Sequence, residues 1–242
     1  LESGRELAPA EKISRQMELL INQGATVIDV GAESTRPQAL PVSSSEELRR
    51  LKTALDAWDR LPTQIQNKAA LSIDSRNYEV LATLCTQHSI QWINDVSGGK
   101  DLRIPALARN YETNYVFMHN MGVPPTTLTI PTDTDVIRAL VDWSIIQVEK
   151  FEKMGLKRTQ LIFDPGIGFG KTVAQNFEIL ARAAELYTAQ LPILIGHSRK
   201  SFLKEKTTDA EPHKRDAITS EISKNLAGLG IDYLRVHNQK QF

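Results

Sequence analysis

The sequence predicts an α/β protein built as a single (β/α)₈ (TIM) barrel. Three observations support this fold class: short apolar segments alternate with longer amphipathic ones, seven apolar segments are visible, and each ends in a polar residue. Parallel strands that are buried on both faces have such nearly continuous hydrophobicity. Strand–helix–strand order implies parallel strands joined by right-handed crossovers.

The composition is that of an ordinary globular protein. The 242 residues are 41% hydrophobic, and 29 Lys and Arg balance 29 Asp and Glu, so the net charge is zero. A nucleic-acid-binding protein would carry a basic excess, and no apolar run approaches the ~20 residues that span a bilayer. We therefore expect neither nucleic-acid nor membrane partners. The single cysteine, Cys85, excludes an intrachain disulfide and indicates a reducing, cytoplasmic setting.

The predicted strands are seven apolar segments, most of them rich in valine and isoleucine. They are Thr26–Val30, Ala69–Ile73, Ile90–Ile93, Tyr115–Met118, Leu161–Phe163, Ile193–Ile195 and Tyr233–Val236. Because their hydrophobicity does not alternate with period two, we expect both faces of each strand to be covered.

Amphipathic segments between these strands predict helices. The first runs from Ala8 to Asn22, and a second from Glu46 to Trp58 has Ser43 to Ser45 as candidate N-caps. A long third helix from Thr134 to Met154 is followed by Gly155 as a C-cap. The same helix–glycine–strand junction recurs at Gly24 and Gly230, which indicates an internal structural repeat.

A barrel of this type needs eight strands, and seven are visible. We therefore expect the first strand to precede residue 1 and the last helix to follow residue 242, with residues 1–242 forming one incomplete domain. The alternative fold is an open doubly wound sheet, which also accommodates seven strands. The polar residues at the strand ends favour the barrel, whose active sites lie at the carboxyl ends of its strands.

A polar residue closes every predicted strand. The series is Asp29, Asp74, Asn94, His119, Asp164, His197 with Ser198, and finally Arg235 with His237. A single Asp in such a position usually caps a helix or forms a turn, whereas seven strand ends of this kind indicate one shared cleft. Three carboxylates and an amide in a cleft suit a planar heterocycle rich in hydrogen-bond donors, or a divalent cation. Spacing alone leaves both open. His119 and His197 are interpreted as structural.

Three loops carry further information. Gly31–Pro37 places an arginine and two hydroxyls beyond a strand end, which suits an oxyanion or a solvated turn equally. Asp164–Thr172 is glycine-rich around one aromatic residue, but Pro165 stands where a nucleotide-binding P-loop requires glycine, so we expect close approach of the backbone to another ligand. Gly196–Ser201 has two adjacent cations before a helix, a common phosphate site in barrels.

Six sequence blocks together resemble those of the dihydropteroate synthases. They follow the family's order and extend nearly from end to end: Ile28–Pro37, Ile73–Ser75, Ile93–Val96, Asp164–Lys171, Ser198–Ser201 and Arg235–His237. The resemblance implies an enzyme that joins p-aminobenzoate to 6-hydroxymethyl-7,8-dihydropterin diphosphate and releases diphosphate. It also implies a magnesium cofactor, a homodimer and an aminobenzoate site of the kind that sulfonamides target in this family.

The same resemblance implies roles for residues of this chain. The catalytic residues would be Asp74, Asp164, Lys200 and Arg36, and the pterin site would comprise Asp74, Asn94, Val96, Met118, Asp164, Lys200 and Arg235. The aminobenzoate site would comprise Thr35, Pro37, Gly168, Phe169, Lys200 and Ser201. The diphosphate site would comprise Arg36, Arg235 and His237. No metal ligand is visible in the sequence, and the expected one belongs to a loop after the family's first strand.

The sequence also departs from the family pattern. The family's first strand and the loop after it are absent from residues 1–242, Gln38 stands where glycine is common, and Asn238 stands where Asp is common. Two other functions remain alternatives. A pterin-dependent methyltransferase shares the barrel and carboxylates but has no need of Arg36, Lys200, Ser201 and His237. A non-catalytic pterin-binding relative would usually lack the catalytic charges.

Overall fold

The computed structural model describes residues 8–33, 40–206 and 215–237. Strands and helices alternate along this part of the chain. The strands are β1 (Val27–Gly31), β2 (Ala70–Asp74), β3 (Trp92–Asp95), β4 (Asn114–Met118), β5 (Leu161–Asp164), β6 (Leu194–Ile195) and β7 (Tyr233–Leu234). The α-helices are α1 (Pro9–Asn22), α2 (Ser44–Asp59), α3 (Thr63–Gln66), α4 (Tyr78–Gln87), α5 (Arg103–Asn110), α6 (Val136–Lys153), α7 (Val173–Ala181) and α8 (Asp216–Gly228).

All described strand pairs are parallel, and neighbours in the sheet are neighbours in the sequence. Strands β1 to β5 form one ladder, and β6 pairs with β7. A single bridge between Phe163 and Ile193 continues the sheet from β5 to β6. The register puts Asp29 opposite Ser72 and Asp74 opposite Asn94. Polar residues of adjacent strands are thereby brought side by side at one end of the sheet.

A layer of side chains inside the sheet shows that it curls into a barrel. One residue from each described strand contributes: Val27, Ala70, Trp92, Val116, Ile162, Leu194 and Tyr233. The rings of Trp92 and Tyr233 meet edge to face, with centroids 4.8 Å apart, although β3 and β7 are not adjacent in the sheet. Only a closed, barrel-like curvature brings these two strands across a common interior.

The helices cover the outside of this sheet, and their starts follow local chemistry. The Ser43 hydroxyl caps α2 by accepting from the Glu46 amide at 3.3 Å. The Asp135 carboxylate caps α6 by accepting from two backbone amides, at 2.9 and 3.1 Å. Such caps satisfy amide groups that have no partner within a helix. The predicted helices are confirmed, with α6 beginning at Val136 because Asp135 serves as its cap.

Strand existence and order are confirmed, while several predicted strand ends were wrong by one or two residues. The third strand begins at Trp92 rather than Ile90, because the Gln91 side chain accepts a hydrogen bond from the Leu71 amide at 2.8 Å. The last strand ends at Leu234 rather than Val236, and the Arg235 amide makes one more hydrogen bond, to the Ile195 carbonyl oxygen at 3.0 Å. The predicted junction glycines, Gly24, Gly155 and Gly230, have φ angles of 102°, 90° and 80°.

A cluster of aromatic rings fills the core between the barrel and α6. Phe117 contacts Tyr115, Phe151, Phe163 and Trp143, with centroids 5.3 to 6.5 Å apart.

Cys85 of α4 is a free and buried thiol, and burial raises its pKa to about 11. None of the helices in the described ranges has the length and apolar character required to cross a membrane.

Replacing Phe117 by Ala should lower the free energy of unfolding by about 3–5 kcal/mol, because the cavity would lie among four aromatic neighbours. Urea denaturation followed by circular dichroism measures this change. Leu128→Ala is the matched control, since Leu128 is 60% exposed and its replacement should change stability by no more than about 0.5 kcal/mol. Equal effects of the two substitutions would contradict the described packing of Phe117.

Candidate active site

The predicted site residues that the structure describes gather at the carboxyl ends of the strands. Asp74, Asn94, Met118 and Asp164 lie at or near the ends of β2, β3, β4 and β5. Lys200 follows β6, and Arg235 follows β7. Electrostatic coupling links Lys200 with Asp74, Asp164 and Arg235. The set therefore surrounds one hollow.

Arg235, which follows β7, joins the carboxylates of β1 and β2. Its Nε lies 2.9 Å from Asp29 Oδ2, and its Nη2 donates to Asp74 Oδ2 at 2.7 Å. The side chains of Asp29 and Asp74 are 14% and 12% exposed, whereas that of Arg235 is 44% exposed. The charge of Asp29 is the main reason that the Arg235 pKa is raised.

Asp74 has a raised pKa, which is unusual for a carboxylate that forms an ion pair. Burial raises its pKa to about 6, and the neighbouring Asp29 adds to the rise, although Arg235 opposes it. Desolvation thus outweighs the attraction of the guanidinium. A carboxylate in this state binds hydrogen-bond donors strongly, because little water competes for its oxygens.

Asp164 begins the glycine-rich loop and is held by it. Its Oδ1 accepts from the Gly166 amide at 2.7 Å, and burial raises its pKa against the opposing charge of Lys200. The turn at Gly166 leaves no room for a side chain. A Cβ there would lie 1.9 Å from the His119 carbonyl oxygen, and the residue has a φ of 69°. Only glycine allows this approach.

Lys200 lies against the same loop. Its Nζ sits 4.8 Å from the centroid of the Phe169 ring and donates to the Ile167 carbonyl oxygen. Its aliphatic stem contacts the space beside Gly168. Burial lowers its pKa to about 8, while Asp164 opposes the change. The predicted aminobenzoate residues Gly168 and Phe169 are thereby brought to Lys200, and Ser201 follows it, exposed, at the start of a 3₁₀-helix.

An apolar wall completes the hollow. Phe169 packs with Val96 and Met118 in a small buried cluster, which the partly buried Val123 joins. Val96 is carried by a turn that the buried Asp95 carboxylate holds by accepting from the Ser97 and Gly99 amides at 2.8 and 3.1 Å. The predicted pterin-lining and aminobenzoate-lining residues are therefore in one apolar surface.

Lys171 and His119 form a buried pair, for which the sequence predicted a structural histidine and no role for the lysine. Lys171 Nζ lies 2.8 Å from His119 Nδ1, and it donates to the carbonyl oxygens of His119 and Phe169 at 3.1 Å each. Burial lowers the pKa of Lys171 well below its usual value and that of His119 to about 3. The pair fixes the glycine-rich loop to the end of β4, and the structural interpretation of His119 is in accord with this.

The other basic groups have different surroundings. His197 is fully buried, and its Nε2 lies 2.9 Å from the Ser223 hydroxyl, so it ties the end of β6 to α8. Arg199 pairs with Asp216 at 2.6 Å. His237 lies at the mouth, where its Nδ1 is 3.0 Å from the Ser198 hydroxyl. Of the predicted diphosphate residues, Arg235 and His237 are thus at the strand ends.

Three predicted residues, Thr35, Arg36 and Pro37, lie outside the described ranges, so their roles remain predictions. Asp29 was recognised in the sequence as a strand-end carboxylate but was given no role. Its contacts with Ser72, Asn94 and Arg235 place it at the centre of the polar network. The only local signal was a carboxylate inside an apolar strand.

Two cavities in the described part of the chain bear on where the site lies. One of about 220 Å³ extends through the interior, and its lining includes Asp29, Asn94 and Arg235. A larger one of about 550 Å³ lies at the amino ends of the strands, lined by residues such as Lys68, His88 and Gln91. It contains no predicted site residue, and barrel enzymes act at the opposite face. We therefore place the candidate site at the carboxyl ends.

Comparisons with known proteins show the family to which the chain belongs. Residues 2–237 match the family described as pterin binding enzyme. The chain is 34% identical over 232 residues to a folate synthesis bifunctional protein of Chlamydia muridarum, covering 94% of this chain and 51% of the relative. The chain therefore spans about half the length of that relative.

Dihydropteroate synthase of Escherichia coli is 34% identical over 226 residues, which cover 92% of this chain and 77% of that protein. The crystal structure of dihydropteroate synthase from Anaplasma phagocytophilum with bound 6-hydroxymethylpterin-monophosphate superposes with a TM-score of 0.88 at 32% identity. That match covers 96% of this chain and 91% of that one.

Gly166→Ala should disrupt the site and lower the melting temperature, because the added Cβ meets the His119 carbonyl oxygen at 1.9 Å. Differential scanning calorimetry measures the change. Gly228→Ala is the matched control, since nothing lies within 4 Å of a Cβ at this helical position; it should stabilise the protein by about 0.5–1 kcal/mol. A neutral Gly166→Ala would contradict the described loop.

Proposed function

The chain belongs to the family of pterin-binding enzymes that includes the dihydropteroate synthases, and we propose that it catalyses the reaction for which they are named. In this reaction p-aminobenzoate is joined to 6-hydroxymethyl-7,8-dihydropterin diphosphate. A carbon–nitrogen bond forms at the pterin methylene, the carbon–oxygen bond to diphosphate breaks, diphosphate leaves, and the arylamine nitrogen releases one proton to solvent.

One observation carries the proposal: hydrogen-bond acceptors and cations lie together in one partly buried hollow. The Asp74 and Asp164 carboxylates suit the N–H groups of a pterin ring, and Val96 and Met118 offer an apolar wall for its face. Lys200 and Arg235 place positive charge beside them. A donor-rich heterocycle that carries an anionic leaving group has both features.

These residues favour charge separation in the bond that breaks. Negative charge develops on the leaving diphosphate, and Arg235 and His237 lie at the mouth where they can attract it. Positive charge develops on the pterin methylene, and the Asp74 and Asp164 carboxylates stabilise it. Fixed charges in a site with little water act strongly because they need no reorganisation. The protein's remaining contribution is to position the two substrates.

Lys200 connects the two substrate positions. It lies over Phe169 and beside Gly168, the proposed aminobenzoate residues, and it is electrostatically coupled to Asp164 on the pterin side. Thr35, Pro37 and Ser201 would complete the aminobenzoate site, and Arg36 the diphosphate site. These assignments rest on the resemblance of the loop sequences.

A magnesium requirement is also proposed, because proteins usually bind Mg²⁺ through one or two carboxylates together with substrate phosphates. The described residues contain no group of three or more His, Cys, Asp or Glu side chains that could hold a metal ion. This part of the chain therefore does not fit a complete protein metal site, and no catalytic step is assigned to the metal.

We propose further that the protein is a homodimer in the cytoplasm. The exposed Ile145 and Ile146 of α6 offer apolar surface for association, and the buried free thiol of Cys85 agrees with a reducing compartment. Light scattering after size-exclusion chromatography determines the oligomeric state.

We expect diphosphate release that depends on both p-aminobenzoate and Mg²⁺, measured by a coupled assay with purified protein. Release without any need for aminobenzoate, or pterin binding with no release, would remove the proposed activity. Lys200→Ala should raise the KM for both substrates about tenfold or more, because a buried charge-assisted hydrogen bond contributes ~1.5–3 kcal/mol. Lys204→Ala, an exposed neighbour, is the matched control and should leave both constants unchanged.

The pH profile of kcat/KM should be bell-shaped. The Asp74 pKa is raised to about 6, so its carboxylate is lost as the pH falls through 6. The Lys200 pKa is lowered to about 8, so its charge is lost as the pH rises through 8. Lys200→Arg should shift the alkaline limb to higher pH, since a guanidinium stays protonated. An alkaline limb that stays in place would assign it to another group.

A further inference from the structure

The amide of Asn94 is left with one unused polar atom. Asn94 is 3% exposed, and its Nδ2 donates to Asp29 Oδ2 at 3.0 Å. Its Oδ1 is buried and accepts no hydrogen bond from any residue in the described part of the chain. An unsatisfied buried acceptor costs about 1–3 kcal/mol, so such an atom in a binding site indicates a ligand donor.

The orientation of this amide is decided by its neighbour. An Asn side chain has one accepting oxygen and one donating nitrogen, and a half-turn exchanges them. An ionised carboxylate only accepts hydrogen bonds, so the nitrogen of Asn94 must face Asp29. The oxygen is then directed away from Asp29, and it is the atom left for a ligand.

Asp29 is itself held by donors from three other parts of the barrel. The Ser72 hydroxyl, directly opposite in the β1–β2 register, donates to Oδ1 at 2.6 Å. Asn94 of β3 and Arg235 after β7 both bind Oδ2, at 3.0 and 2.9 Å. With both oxygens occupied, the carboxylate has no freedom to rotate and accept from Asn94 in another way.

We infer that Asp29 is a positioning residue that sets ligand specificity by fixing the Asn94 amide. It makes Asn94 an acceptor, so that Asn94, Asp74 and Asp164 together present only acceptors to the ligand. The ligand class is therefore a planar heterocycle with N–H donors along one edge, and an analogue with a carbonyl in place of a donor is rejected. This inference rests on the proposed pterin ligand.

The test compares the affinities of several pterin probes for wild type and for Asp29→Ala. The probes are 6-hydroxymethyl-7,8-dihydropterin, its oxidised form, which lacks N8–H, and the corresponding 2-oxo analogue, whose 2-amino donor is replaced by a carbonyl. Calorimetry gives each dissociation constant. In wild type each lost donor should weaken binding, by roughly tenfold for a buried hydrogen bond.

In Asp29→Ala, loss of the ligand donor that Asn94 contacts should raise the dissociation constant only about twofold. The freed Asn94 amide can rotate and donate a hydrogen bond instead of accepting one. The effect must act through Asn94. In the background of Asn94→Ala, therefore, Asp29→Ala should not change the ratio of affinities any further. A contribution to folding alone would weaken all probes by the same factor and leave every ratio intact.

Two further variants keep the test decisive. Asp29→Asn preserves the shape of the side chain and removes its charge, and it replaces Asp29→Ala if the latter does not fold. It should also reduce the ratio between the dissociation constants of the donor-lacking probe and of the parent dihydropterin. Asp59→Ala is the matched control, because that carboxylate is 57% exposed beside His88 at the opposite end of the barrel, and it should change no ratio.

The outcomes separate this inference from the proposed function. If wild type binds none of the probes, the proposed pterin ligand is wrong. If wild type binds them and discriminates, but every ratio is the same in the folded Asp29 variants, Asp29 does not set specificity and the inference is overturned. A narrowed ratio that persists after Asn94 is removed would overturn it as well.

Discussion

Burying carboxylates in one hollow requires positive charge in the same hollow, and this constraint organises the carboxyl end of the barrel. Asp29, Asp74 and Asp164 are all largely shielded from water, where an isolated charge is strongly disfavoured. Arg235 meets two of them and Lys200 is coupled to the third. Because Arg235 follows β7 while its partners lie on β1 and β2, the balance of charge also links the two edges of the described sheet.

Much of this arrangement could be predicted from sequence because it depends on strand ends. A polar residue at the end of a buried strand has a definite place in a parallel barrel, so Asp74, Asn94 and Asp164 could be assigned to one mouth before any coordinates. The helix caps and glycine junctions follow from equally local rules. The family resemblance then supplied roles for residues whose proximity the strand order already implied.

The contacts between distant residues could not be predicted in this way. Lys171 and His119 are 52 residues apart, and Asn94 and Asp29 are 65 apart; no periodicity or spacing announces either pair. Strand ends were misplaced for a related reason, since a side chain such as Gln91 can satisfy a backbone amide in place of the ladder. Sequence patterns indicate which face a residue is on, but not which partner it finds there.

The single buried cysteine has a use that is independent of the site. Cys85 lies on α4, in the outer ring of helices, and its thiol is protonated at neutral pH because burial raises its pKa to about 11. A thiol-specific dye therefore reacts only when this helix opens. Ligands that bind only the folded state lower the globally open population by a factor of 1 + L/Kd, with L the free ligand concentration, but leave local fraying of α4 untouched. The labelling rate of the Cys85 sulfur thus distinguishes local opening of the outer helix from global unfolding of the barrel.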